Sequence, residues 1–372
     1  MMIMSQSRLQ TFMVVVFTLL ATSFLSGCTS ADTEQYKIGV IAPLSNAGTN
    51  LGQPWVTGIE AAINEINAKG GVRGKKVELL VEDSKFQGKT SATAAHSLLR
   101  QNVDIGTVLF NIPTNSVNPI FDQKEVPLHH LSFTRGALEQ NNQSFKAHFD
   151  GYEGCQRLIK YAKNNDAYNK LGVLMSQTEY GDLCVKAIKT VEPNVSIYRY
   201  ESGTKDFRTI LTKAQSDNVD ALSTILVDPE AVNLFEQITE LGYDVKIICA
   251  TAGECIYPSV QETTPADVLN GTVSIDFIPP NITDHPKVES IGSENLSFTK
   301  ASWIALGYEE MQYITKALEE CKPRDHQCIT EQMKEVSDYN SILDTNGFKN
   351  RRLNLSYDIY RHNGQRWKTV AD

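Results

Sequence analysis

Beyond residue 28 the chain has no apolar run of membrane-spanning length, no Cys-x-x-Cys, no His-Glu-x-x-His, no Gly-x-Ser-x-Gly and no cluster of lysines and arginines. Each absence removes a class of function. A transmembrane helix needs roughly 20 apolar residues, so the body of the chain is expected to be soluble. Nucleic acid needs grouped basic residues to neutralise phosphates, so it is not an expected partner. Gly88-Lys89-Thr90 has the form of the end of a phosphate-binding loop, but Asp83 stands where the upstream glycine is required. The phosphate cradle is therefore incomplete. His129-His130 sits at the end of an apolar strand, where a structural role is expected rather than a metal. No nucleophile is paired with a base. The chain reads as a non-enzyme with no cofactor and no metal.

What is present begins with a targeting segment. Arg8 is the one charge before Cys28, and Thr11 to Leu25 (TFMVVVFTLLATSFL) is apolar but short for a membrane span. The run ends in Leu25-Ser26-Gly27-Cys28, which resembles the lipobox of bacterial lipoproteins, where cleavage leaves a diacylated cysteine as the first residue. Buried acyl carbons contribute about 0.8 kcal/mol per CH₂, so several chains on Cys28 make a durable tether. The expected location is the periplasm or cell surface, anchored to the membrane by lipid. Six further cysteines remain: Cys155, Cys184, Cys249, Cys255, Cys321 and Cys328. An even count in an exported chain suggests three disulfides. Cys249 with Cys255 and Cys321 with Cys328 are close in sequence and leave Cys155 with Cys184. In a parallel sheet the helices before and after a strand both start at the carboxyl edge, which brings Cys155 and Cys184 together at the rim of a second lobe.

The 372 residues, 41% hydrophobic and with 44 acidic against 35 basic residues, suffice for two cores. From Tyr36 short apolar runs alternate with helical stretches, the pattern of βαβ units. Strands are expected at 38–41, 77–81, 105–110 and 127–132, with helices from about Pro54 to Ala68 and from Ser91 to Arg100. The segment from Pro43 to Gly52 reads as a loop. A second series runs from Asp150 to Cys249, with strands at 171–175, 195–200, 221–227 and 245–249. The remainder adds a strand, a helix at about Trp303 to Glu320, and a hairpin-like ending from Arg351 to Trp367 that turns at Asn363-Gly364. Phe298, Trp303, Tyr308 and Tyr313, on or near that helix, are expected to be core. These last pieces are too few for a third domain.

Residues 36 to 83, opening YKIGVIAPLSNAGTNLGQPW, carry a likeness that continues in Thr178-Glu179-Tyr180-Gly181, in Gly203-Thr204-Lys205-Asp206-Phe207, and in Asp228-Pro229-Glu230 with the helix ending Leu241-Gly242-Tyr243. The ordered series resembles the leucine/isoleucine/valine-binding proteins, the type I periplasmic binding proteins of branched-chain amino acid ABC importers. The resemblance implies an α/β fold of two doubly wound parallel-sheet lobes joined by a three-crossover hinge. After a signal peptide at 1–27 and a tether at 28–35, it puts lobe 1 at 36–148 plus 278–356 and lobe 2 at 149–277 plus 357–372. Ligand would bind between the lobes, at the carboxyl ends of the strands.

By the same resemblance the ligand carboxylate meets lobe 1 hydroxyls and amides at loops that open helices, here Asn111 to Ser116 and Ser132 to Gly136. Thr114, Asn115, Ser116, Ser132 and Thr134 are the candidates, each equally a helix cap. Lobe 2 would supply Tyr180 as aromatic cover and an acid for an amino group, Glu254 or Asp228, since an unpaired buried ammonium is costly. Leu51 replaces the family's large first-loop aromatic, the family's cysteine bridge near the carboxylate loop is missing, with Phe86 and Pro113 in that neighbourhood, and Arg135 would suit a further anion. The implied function is to close around an amino acid or similar small polar ligand for an ABC permease. The alternative is a ligand-sensing or regulatory lipoprotein acting on a membrane receptor or a cell-wall enzyme.

Overall fold

The computed structural model describes residues 35–370, apart from 47, 133–135, 148–149, 202, 227–229, 251–254, 257, 277, 280, 293–295 and 356–357. Five parallel strands open the chain: β1 (Tyr36–Ala42), β2 (Val77–Asp83), β3 (Ile105–Leu109), β4 (Leu128–Leu131) and β5 (Ser144–Lys146). Five more follow: β6 (Leu171–Ser176), β7 (Ser196–Tyr200), β8 (Ala221–Ile225), β9 (Lys246–Cys249) and β10 (Val273–Asp276). The end of the chain supplies β11 (Phe348–Lys349), β12 (Arg352–Leu353), β13 (Asp358–His362) and β14 (Trp367–Val370).

These strands form two seven-stranded sheets, ordered β11-β12-β5-β4-β3-β1-β2 and β14-β13-β10-β9-β8-β6-β7. The chain passes between the sheets three times, after β5, after β10 and after β12. Central strands such as β1 and β3 are buried almost throughout and mainly apolar, as expected of parallel strands covered on both faces, whereas β2 and β7 nearer the edges carry charged residues. Ile38, Val40, Ile41 and Ala42 of β1 are all buried. The expected closing hairpin divides between the two sheets. Arg352–Leu353 pairs with β5 and β11, and the true hairpin is β13 with β14, turning through Asn363 to Arg366.

Two helices at the centre of the first lobe, Thr49–Ala68 and Phe298–Leu318, approach through glycine. A Cβ on Gly58 would lie 2.1 Å from the Ile304 carbonyl oxygen, and one on Gly307 would lie 2.0 Å from that of Trp55. The first of these helices starts before Pro54, and the loop ahead of it is correspondingly shorter than the sequence suggests. Gly48, left-handed at φ 79°, turns the chain into the helix. Pro54 lies inside this helix, in its second turn, and leaves the Asn50 carbonyl without the intrahelical bond that an N–H at 54 would make. Phe298, Tyr308 and Tyr313 are core, as their helical spacing suggests, whereas Trp303 is only partly buried.

At the crossovers, Asp150 caps the Gly151–Asn165 helix, accepting from the amides of Tyr152 and Glu153. Its other oxygen accepts from Arg352 Nη1 at 2.8 Å. One nearly buried carboxylate thus joins the first crossover to the strand that leads into the third. Among the described residues no helix is long and apolar enough to cross a membrane.

Candidate functional site

Open α/β sheets bind ligands beyond the carboxyl ends of their strands, and both rims are built by identifiable residues. In the first sheet, Asp83 at the end of β2 accepts from the amides of Leu44 and Lys85, each at 2.9 Å, and from the Ser45 hydroxyl. Burial opposes its charge, but these hydrogen bonds outweigh it and hold the carboxyl below its ordinary range. The turns after β1 and β2 are thereby fixed to one another.

Among the described residues, four non-glycine residues on this rim adopt positive φ: Asn46 at 64°, Lys85 at 50°, Phe86 at 57° and Phe110 at 72°. Phe110, with ψ 160°, occupies a region that favours glycine, and it caps the Asn111–Asp122 helix. The strain sets three rings in a row. Phe86 and Phe110 meet edge to face with centroids 5.3 Å apart, and Phe110 meets Trp303 at 5.5 Å. A Cβ on Gly48 would touch the first two rings at 3.3 and 3.5 Å.

The segment Asn111 to Ser116, expected as a loop, is the first turn and a half of that helix, because the unusual Phe110 backbone turns the chain at once after β3. The Thr114 hydroxyl donates to the Phe110 carbonyl at 2.7 Å, and that of Ser116 donates to Ile112 at 3.2 Å. Thr114 is fully buried, Ser116 half-buried and Asn115 exposed. The Ser132 hydroxyl lies 2.8 Å from His130 Nδ1 inside the protein. Leu51 lies in the first turn of the Thr49–Ala68 helix. Thr134 and Arg135 lie outside the described residues, as do Asp228, Glu254 and Cys28.

In the second lobe Tyr180 stands in the first turn of the Glu179–Lys189 helix, whose cap Thr178 accepts from the Gly181 amide at 3.1 Å. The Tyr180 hydroxyl donates to the Ala250 carbonyl at 3.2 Å. Its ring lies so close to Gly151 that a Cβ there would come within 2.5 Å of it. Disulfides join Cys155 to Cys184 and Cys249 to Cys255, with Cα separations of 5.5 and 6.1 Å. Both therefore border the tyrosine: Cys155 Sγ lies 3.9 Å from its hydroxyl, and Cys249 precedes Ala250. The third bridge, Cys321 to Cys328, lies elsewhere, beside the amino end of β1, where Tyr36 donates to the Cys321 carbonyl at 2.6 Å. Glu230 is turned inward, its carboxylate accepting from the Tyr200 hydroxyl at 2.7 Å and from the Gly203 amide.

His129 belongs to the core of the first lobe and not to a rim. Its Nδ1 is 2.6 Å from Glu310 Oε1, and its Nε2 is 2.7 Å from the Tyr313 hydroxyl. Trp55 Nε1 donates to Glu310 Oε2 at 3.1 Å. Among the described residues no group of three or more His, Cys, Asp or Glu is placed to hold a metal ion.

The sequence reading missed the aromatic row. Phe86 was noted only for its place in the chain, and Trp303 was assigned to the core with its helical neighbours. A signal was present: Phe110 follows the apolar strand β3 and precedes a helix, which is the position that faces a ligand in such sheets.

Comparison with known proteins gives one consistent pattern. A family model described as periplasmic binding protein matches residues 35–366. The Leu/Ile/Val-binding protein homolog 2 of Brucella abortus is 22% identical over 330 residues, covering 82% of this chain and 84% of that protein. A leucine-binding protein from Thermotoga maritima superposes with a TM-score of 0.72 at 20% identity, covering 90% of this chain and 98% of that one. A solute-binding protein of an ABC transporter from R. palustris, solved with 4-hydroxybenzoate, superposes with the same TM-score at 19% identity, covering 88% and 92%.

Proposed function

Because the chain belongs to the periplasmic binding protein family, we propose that it is an extracytoplasmic receptor that closes two lobes around a small carboxylate-bearing solute and presents it to an ABC permease. The observation that carries this reading is the arrangement of the rims. Two sheets of matching strand order are linked by three passages of the chain, and rotation of one lobe against the other about those links would open or close the space between their carboxyl edges. A solute held by both edges then shifts the population toward the closed form. Leucine-binding and 4-hydroxybenzoate-binding proteins of this fold bracket the solutes to try.

In this reading Thr114, Asn115, Ser116, Ser132 and Thr134 serve the anionic end. Tyr180 covers the solute from lobe 2, and Asp228 or Glu254 faces an amino group where the solute has one. The lobes divide at 36–148 with 278–356 and at 149–277 with 357–372. Cys28 carries the lipid, and Cys28→Ser should release the protein from membranes or block its processing.

A thermal-shift screen of the soluble protein against amino acids and aromatic acids tests the function, because excess ligand raises stability by RT ln(1 + [L]/Kd). For a solute so found, Tyr180→Ala and Thr134→Ala should each weaken binding roughly 5- to 150-fold by calorimetry. Folded variants that both bind as tightly as the parent would refute the site.

A further inference from the structure

Holding a carboxylate calls for hydroxyls and amides, yet the first lobe's rim also gathers Phe86, Phe110 and Trp303 into one edge-to-face row. Their backbone is unusual for such bulky residues. Phe86 and Phe110 both hold positive φ, and Gly48 has no side chain to push the two rings apart. Strain of this kind persists where the surrounding structure imposes it, and it gathers at ligand sites. All three rings are partly exposed rather than sealed in the core. The other two tryptophans, Trp55 and Trp367, are buried elsewhere.

Ring quadrupoles decide what such a row prefers. A further ring laid against Phe110 and Trp303 continues the edge-to-face pattern and gains attraction beyond its buried area, whereas an aliphatic side chain gains the area alone. We infer that the solute is a carboxylate bearing an aromatic ring, with the ring seated against Phe110 and Trp303. This rests on the proposed reading of the chain as a solute receptor and narrows its ligand class. Aliphatic amino acids are then secondary ligands.

The test uses calorimetry on the mature soluble protein with benzoate, 4-hydroxybenzoate and L-phenylalanine, and with L-leucine and L-valine as aliphatic probes. At least one aromatic probe should bind roughly 2- to 10-fold or more tightly than both aliphatic ones, the advantage of ring contacts over equal area. Tryptophan emission should change on binding and lose that response in Trp303→Leu, which keeps apolar bulk. The same variant should weaken the aromatic probe on the order of tenfold and an aliphatic probe much less, and Phe86→Leu should act in the same direction. Should Phe86→Leu fail to fold, Trp303→Leu alone decides, on a helix whose packing elsewhere is glycine-mediated. Leucine or valine binding more tightly than every aromatic probe, with Trp303→Leu neutral, would overturn the inference and leave the receptor reading standing. No binding by any probe would count against both.

Discussion

In the first lobe the turns behind the candidate site are gathered by one carboxylate, Asp83, and the core beneath them contains a buried His129–Glu310 pair with Trp55 and Tyr313 around it. In the second lobe the corresponding turns are fastened covalently, by Cys155–Cys184 and Cys249–Cys255 on either side of Tyr180. The first lobe also has a disulfide, but it sits at the opposite, amino edge of its sheet. Two sheets of the same strand order have thus solved one problem, holding a rim still, by different chemistry. Hydrogen bonds depend on every partner staying in place, whereas a disulfide restricts the unfolded chain as well as the folded one.

The largest expected effect breaks the first lobe's device. Glu310→Ala leaves the buried Trp55 indole N–H without its acceptor and opens a cavity beside His129, and the two effects together cost about 3–5 kcal/mol. Urea denaturation should show that loss, and Glu310→Gln, which keeps a side-chain oxygen to accept from the Trp55 indole, should lose much less. A Glu310→Ala variant as stable as the parent would show that the network contributes nothing.

Removing the second lobe's device should rank next. Cys155 and Cys184 are separated by 29 residues in sequence, and opening a loop of that size costs about 3–4 kcal/mol in the chain-entropy account. The control is Cys321–Cys328, with a separation of 7, for which the same account gives roughly 2 kcal/mol. The two double-alanine variants should differ in function as well as in melting temperature. Loss of the first frees the helix starts under Tyr180 and should weaken solute binding, while loss of the second should leave affinity unchanged. Equal affinities in both variants would mean that the bridges serve stability alone.

How much of this could be read beforehand follows from the physics of each feature. Short-range regularities were legible: buried parallel strands as apolar runs, a helix ending at Ala68, and cysteines close in the chain that the structure does join. Features that depend on a single unusual backbone were not. Nothing in Asn111 to Ser116 announces that Phe110 at φ 72° starts a helix there. The ending from Arg351 was read as one hairpin because alternation along the chain cannot show that Arg352–Leu353 and Asp358–His362 enter different sheets. For the site, the hydroxyl-bearing segments are pointed to by the family resemblance, whereas the row of rings comes from residues 86, 110 and 303, which only the folded chain brings together. His129 and Glu310 were invisible as a pair for the same reason.

The smallest expected effect sharpens the contrast at the surface. Glu65, on the Thr49–Ala68 helix, accepts from Lys69 at 2.7 Å and from Lys287 and the Tyr308 hydroxyl, each at 2.9 Å. The Lys69, Lys287 and Tyr308 hydrogen bonds outweigh partial burial and hold its carboxyl at about 2, against an ordinary value near 4.5. A carboxyl depressed by folding stabilises the protein fully above its unfolded pKa, and that contribution fades as pH falls from about 4.5 toward 2. Because the side chain is 30% exposed, solvent screening reduces the benefit to about 1 kcal/mol. The second lobe's nearest counterpart, Arg208 with Glu240 at 2.6 Å, is about half exposed at both ends, so its removal should be nearly silent. Acid titration of melting temperature should therefore show Glu65→Gln below the parent at neutral pH and converging with it toward pH 2, with Glu240→Gln parallel to the parent throughout. A Glu65→Gln curve that stays a constant distance from the parent across the acid range would show that the three-donor cluster is not what couples the first lobe to pH.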